Sequence, residues 1–106
     1  MNETTTLTGQ VNDEQIREWK TRNKYGIYAV TIDDHIAYFK NPNRQEINCA
    51  LSKADRENAL SVFEMLASVT FLGGSDEILK DDQMFIGLSN EIKIKLDGKK
   101  GNLVNL

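Results

Sequence analysis

Residues 25–40 read Tyr-Gly-Ile-Tyr-Ala-Val-Thr-Ile-Asp-Asp-His-Ile-Ala-Tyr-Phe-Lys. From Tyr25 to Ile32 the residues are mostly aromatic or β-branched, the composition of a strand. Asp33-Asp34 is a turn signal, and His35 to Lys40 reads as a second strand. So tight a connection makes the pair an antiparallel hairpin. Tyr28, Val30 and Ile32 fall on one face of the first strand, and Ile27, Ala29 and Thr31 on the other. In the second strand Ile36 and Tyr38 oppose Ala37 and Phe39. Both faces carry apolar groups, so helices are expected on one side and the N-terminal arm or a partner on the other. A lone hairpin is marginal in water, which makes a helical layer obligatory.

The flanking segments supply that layer. Residues 1–11 are polar and Thr-rich, with only Leu7 and Val11 as anchors, and read as a flexible arm. Asn12 and Gln15 have capping-box spacing, and Asp13 and Glu14 suit a helix N-terminus. A short helix from Asp13 to Arg22 follows, with Ile16 and Trp19 on one stripe and Trp19 as its anchor. After the hairpin, Asn41-Pro42 reads as an N-cap followed by the first helical position. Ile47, Ala50, Leu51 and Ala54 form the stripe of that helix, which ends near Lys53 or Ala54. Asp55 caps the next helix, whose stripe is Ala59, Val62, Phe63, Leu66 and Val69, widened by Leu60 and Ala67. Gly73-Gly74 stops it after Phe71-Leu72. Ser75 caps a short turn through Leu79, and Asp81 or Asp82 caps a last helix with Phe85, Leu88, Ile92 and Leu96 at spacings of three, four and four. Gly98 ends it, with Lys93, Lys95, Lys99 and Lys100 at the negative end of its dipole. The fold class is α+β: an N-terminal helix, one antiparallel hairpin, then three to four packed helices. The domain spans residues 12–98, and 99–106 form a C-terminal tail.

Composition limits the chemistry. The 106 residues carry 13 basic and 16 acidic side chains, a formal charge of −3, so the basic footprint of a nucleic-acid-binding domain is absent. That charge is uneven. Residues 1–54 hold seven basic and seven acidic groups, 55–91 two and eight, and 92–106 four and one. One Cys excludes an internal disulfide framework, and no apolar run approaches the roughly 20 residues of a membrane span. The polar N-terminus does not read as a secretory signal, so a cytoplasmic protein is expected.

Catalytic patterns are weak throughout. Cys49 and His35 are the only thiol–imidazole pair, and no signature surrounds the cysteine. Asp33, Asp34 and His35 are consecutive at a turn, so their side chains diverge, and a single His with a single Cys leaves a structural zinc site short of ligands. Asp76, Glu77, Asp81 and Asp82 form an acidic cluster without the order of a calcium loop; capping of two successive helices accounts for them. Gly73-Gly74-Ser75 lacks the lysine or further glycines of a phosphate loop. No catalytic residues, metal ligands or cofactor are therefore assigned, and a non-enzymatic binding role is expected. On the hairpin, Tyr28, Tyr38 and Phe39 are suited to a protein partner, since aromatics anchor interfaces, although packing of the hairpin on its helices accounts for them too.

A more specific pattern runs from Tyr38-Phe39-Lys40-Asn41-Pro42-Asn43-Arg44, through Ala50, Ser52 and Glu64-Met65-Leu66, to Phe71-Leu72-Gly73-Gly74-Ser75-Asp76-Glu77-Ile78 and Asp81-Asp82-Gln83-Met84-Phe85. It resembles small phage and prophage proteins of tail gene clusters similar to tail assembly chaperones, over roughly Tyr25 to Leu96. Here Phe71 stands where an aromatic, often Trp, is expected, and Ser75 precedes the acid of the turn. The resemblance implies a protein partner, a tape-measure or tail-tube protein, engaged during assembly in the bacterial cytoplasm through an apolar helical surface. A groove between the Ala59–Val69 and Phe85–Leu96 helices would supply that surface, with Phe71 and Phe85 as contacts and Met65 and Met84 making it adaptable, unless both stripes are consumed by the core. Two other readings fit the composition: an acidic inhibitor of a host nucleic-acid enzyme, with the net −6 of residues 55–91 mimicking a phosphate backbone, and a small virion structural protein.

Overall fold

The computed structural model describes residues 6–53, 60–96 and 101–106. In these the chain is α+β, with five helices and a three-stranded antiparallel sheet. The elements are α1 (Asp13–Arg22), β1 (Ile27–Ile32), β2 (His35–Lys40), α2 (Arg44–Lys53), α3 (Ser61–Thr70), β3 (Phe71–Gly74), α4 (Glu77–Lys80) and α5 (Asp82–Leu96). The expectations placed on Ala54, Asp55, Ala59, Gly98, Lys99 and Lys100 fall outside the described residues, as do those on the side chains of Lys95 and Leu96.

The hairpin forms as its sequence demands. Ile32 pairs with His35 and Ile27 with Lys40, with Asp33 at φ 54° in the turn, a conformation that Asp tolerates better than most residues. The sheet has one strand more than the hairpin. Phe71–Gly74, expected to end a helix, is β3 and pairs with β2, making β2 central. α3 stops at Thr70, and the chain turns directly into the strand. Gly74 makes this possible: its φ is +106°, and a Cβ there would lie 2.6 Å from the Ile36 carbonyl oxygen and 2.8 Å from the Ala37 Cα. Only a residue without a side chain fits.

The alternation of side chains splits the sheet as expected. On one face Val30, Ala37 and Phe39 join Ala50, Leu66, Ala67, Ile78, Leu88 and Ile92 in a single core beneath α2–α5. On the other face Trp19 of α1 sits over Tyr38, ring centroids 5.4 Å apart, and so close to Gly73 that a Cβ there would be 3.0 Å from the indole. The described part of the arm fastens beside it. The Thr8 N–H donates to the Asp34 carbonyl at 2.7 Å, the Ile36 N–H donates to the Thr8 carbonyl at 2.9 Å, and the Val11 N–H donates to the Tyr38 hydroxyl at 3.3 Å.

Helix starts follow local chemistry, with two shifts from expectation. Asn12 accepts from the Gln15 N–H as its spacing predicts. The cap of α2 is Asn43 rather than Asn41. Its side chain accepts from the Glu46 N–H at 2.8 Å while Glu46 accepts from the Asn43 N–H at 3.0 Å, a reciprocal capping box that outcompetes the Asn-Pro start. Asp81 caps α5, accepting from the Met84 N–H at 3.0 Å. Two stripes are also rotated. Leu51 and Val69 are exposed, while Ala50, Leu66, Ala67 and Thr70 are buried, because α2 and α3 pack on each other and α3 also packs on β2. Thr70 satisfies its hydroxyl within the helix by donating to the Leu66 carbonyl at 2.6 Å.

Candidate functional site

The seven aromatic and methionine positions separate into three environments. Tyr38 and Phe39 are buried in the body of the sheet, so they are core residues and not contact surface. The alternation that placed them on the hairpin left open which face each would use, and both faces turn out to be covered. Tyr28, Met65 and Met84 are half-buried and packed against the core. Tyr28 stacks on Phe39 at 5.6 Å, and burial pushes its phenol up to about 12. Phe71 and Phe85 remain, and they lie together.

They meet in a cleft between α3 and the α4–α5 corner. One lobe, about 350 Å³, is lined by Glu64, Ala67, Ser68, Phe71, Leu79 and Phe85. An adjoining lobe of about 520 Å³ adds Leu60, Lys80, Asp82 and Ile86 to the shared Glu64, Leu79 and Phe85. β3 supplies the floor: Phe71 stands edge-on against the buried Phe39 ring at 5.7 Å, so the core fixes one wall of the cleft. The cleft borders α3 and α5, the helices between which a groove is expected, but β3 and α4 supply part of its lining and it lies nearer the start of α5 than its middle. Leu88 and Ile92, further along, are wholly consumed by the core. Leu79 and Ile86 were not singled out from sequence. Leu79 sits on a four-residue helix too short to show periodicity, and Ile86 lies beside the apolar stripe rather than on it.

The acidic cluster does not converge. Asp76, Glu77, Asp81 and Asp82 are all exposed. Asp76 pairs with Lys80 at 3.1 Å, Asp81 caps α5, and Asp82 edges the cleft. Among the described residues no group of three His, Cys, Asp or Glu side chains is placed to hold a metal ion. No helix among them is long and apolar enough to cross a membrane.

One polar constellation was not foreseen. His35 Nδ1 and Ser75 Oγ share a hydrogen bond at 2.7 Å, and Asp34 Oδ1 lies 3.8 Å from Nε2. Ser75, expected to cap α4, is instead buried and bonded to the hairpin. The trio has the residue types of a hydrolytic triad but not its geometry. Asp34 is beyond hydrogen-bond reach, and the Ser75 N–H, the natural oxyanion donor, is already given to the Ile36 carbonyl at 2.8 Å. It is a clasp that locks the end of β3 to the start of β2. Cys49 is exposed on α2, while the His35 ring is engaged at β3.

A second hollow of about 180 Å³ lies where the end of α1 meets the start of α2. Several of its charges are engaged nearby: Lys40 pairs with Glu46 at 2.6 Å, Arg22 pairs with Glu18 at 2.6 Å, and the Lys24 ammonium lies 5.7 Å from the Tyr25 ring centroid. Burial pushes the Glu46 carboxyl up, but the Lys40 hydrogen bond, the Asn43 N–H and the Lys40 charge outweigh it and hold the group below its ordinary value.

No protein-family model, no curated protein and no solved structure matches this chain.

Proposed function

We propose that this protein is a non-catalytic, tail-assembly-chaperone-like binding module that seats an apolar segment of a tape-measure or tail-tube protein. The observation that carries the reading is the cleft in which Phe71, Leu79 and Phe85 converge beside the polar groups of Glu64, Ser68, Lys80 and Asp82. A groove of this kind accepts the apolar face of an amphipathic helix, with the aromatic rings as anchors. The motif from Tyr38 to Phe85 supplies the class of partner, and two of its aromatics, Phe71 and Phe85, fall in this cleft. Binding in the cytoplasm of a bacterial host during assembly follows from that class.

Co-expression with the tape-measure and tail-tube proteins of the same gene cluster tests the reading. A complex with one of them is expected, weakened about tenfold or more by Ile86→Lys at the cleft edge. Absence of any complex with either protein sinks the proposal. The competing reading of an acidic inhibitor predicts the reverse sensitivity: activity that survives Ile86→Lys and disappears on charge reversal at Asp76, Glu77, Asp81 and Asp82. A virion structural protein is told apart by mass spectrometry of finished particles, from which a chaperone is missing.

A further inference from the structure

The described end of the chain, Gly101-Asn102-Leu103-Val104-Asn105-Leu106, packs on nothing. Leu103 is 94% exposed, Val104 71% exposed, and Leu106 is open to solvent. Three large apolar side chains within four residues, all wet, mark a segment with unspent binding capacity. The segment is preceded in sequence by Lys99 and Lys100, and residues 92–106 carry four basic groups against one acidic. The cleft has the opposite character. Phe71, Leu79 and Phe85, with Ile86 at the edge, give it its apolar lining; Glu64 and Asp82 give it acidic groups, and its one lining cation, Lys80, is paired with Asp76 at 3.1 Å, within a stretch holding eight acidic and two basic groups.

These two surfaces lie at opposite ends of one helix. The cleft uses Asp82, Phe85 and Ile86 from the first turns of α5, and the tail follows its last residue, Leu96. At 1.5 Å per residue, Ile86 and Leu96 are about 15 Å apart along the axis. The molecule is elongated, 59 × 35 × 25 Å, and its radius of gyration of 15.7 Å exceeds the roughly 13 Å of a compact domain of this length.

We propose that the tail of one copy docks in the α3–α4–α5 cleft of a second copy, with Leu103, Val104 and Leu106 against its apolar lining and the net positive charge of the chain's last residues matching the acidic stretch around the cleft. The contact joins two different patches, so it is heterologous. A six-residue segment buries far less than a standard interface, so the association is weak and concentration-dependent. Charge complementarity makes it salt-sensitive. The inference rests on the same cleft as the proposed function but not on the identity of the partner there, so the tail acts as a competitor that a tighter-binding partner displaces.

Sedimentation equilibrium of the full chain tests this without any partner protein. The wild-type mass is expected to rise above the 12.0 kDa of one chain as concentration increases, and to fall back in high salt. The triple variant Leu103→Ser, Val104→Ser, Leu106→Ser alters only exposed positions and is expected to weaken association about tenfold or more. Ile86→Lys is expected to do the same from the other side, with circular dichroism confirming that both variants fold. Mixing the two variants restores pairing above that of either alone, because one retains a cleft and the other a tail. A wild-type chain that stays at monomer mass throughout, including one whose tail covers its own cleft, overturns the proposal. So does association that survives the triple variant, or a mixture no heavier than its components. Failure of tape-measure or tail-tube binding leaves these results unaffected, so the two readings fail separately.

Discussion

The two halves of the sheet's surroundings are built to opposite standards. Around the hairpin, nearly every group is spent. Trp19 covers Tyr38, Phe39 is sealed between Tyr28 and Phe71, the arm is bonded to Asp34 and Ile36, and Lys40 is paired with Glu46. At the α3–α4–α5 corner, Phe71, Leu79 and Phe85 face a cleft, and Leu60, Val69 and Ile86 are exposed. Closed packing fixes a structure and leaves little for a partner to gain. Open apolar packing sacrifices intramolecular burial and keeps that free energy available for binding. The contrast places the close packing in one region and, on the proposed function, recognition in the other.

Truncating a ring in each region is the strongest way to break this comparison. Phe39→Ala is expected to cost about 3–5 kcal/mol, as for other fully buried aromatics. Phe85→Ala is expected to cost about 1–2 kcal/mol, because its ring is already partly solvated. Urea unfolding measures both, and equal costs would erase the distinction. Next in size is Gly74→Ala, expected to destabilise by about 2 kcal/mol through strain at positive φ and collision with the β2 backbone. It would show that the clasped end of the sheet, not only its core, is rigid. Asn43→Ala removes one side of the α2 capping box and is expected to cost about 1 kcal/mol.

Two pH effects sharpen the same contrast. The Glu46 carboxyl lies below its ordinary value of 4.5 when folded. Its contribution to stability is therefore present above about 4.5 and lost as pH falls through the lower folded value. Glu46→Gln is expected to flatten the acid limb of the stability–pH curve in that window. Tyr28 is raised to about 12, so its neutral form favours the fold, and that contribution fades as pH climbs from 10 toward 12. An absorbance titration is expected to find one phenol ionising about two units late, and Tyr28→Phe is expected to remove that late step.

Local signals made much of this readable in advance. The hairpin, its two-residue turn, α1 with its Asn12 cap and the α5 core stripe at Leu88 and Ile92 all depend on neighbours close in sequence. What escaped depends on distant ones. Phe71–Gly74 carries two glycines and no alternation, so it reads as a helix stop. It becomes a strand only because β2 offers it an unpaired edge. The His35–Ser75 clasp was hidden for the same reason, since nothing at either position announces a partner so far along the chain. The cleft was half visible: Phe71 and Phe85 were legible as aromatics, whereas Leu79 and Ile86 acquire their role only when α4 turns toward α5. Tyr38 and Phe39 show the limit of residue type as a guide. An aromatic pair on a hairpin reads equally as interface or core, and here the helical layer and Trp19 decide for core.

The order of strands also sets an order in time. β1 and β2 are joined by a two-residue turn and can zip on the microsecond scale of isolated hairpins. β3 reaches β2 only after α2 and α3 have brought residue 74 back beside residue 37, and closing so long a loop is entropically dearer. The wall that Phe71 gives the cleft is therefore expected to be completed late in folding, and the same contacts are expected to open first. Native-state hydrogen exchange is expected to be slowest along the β1–β2 ladder and faster at the β3 amides. If exchange has that order, the cleft stands on the most easily opened part of the sheet, and a partner of the proposed kind that binds only the closed form would also complete the fold.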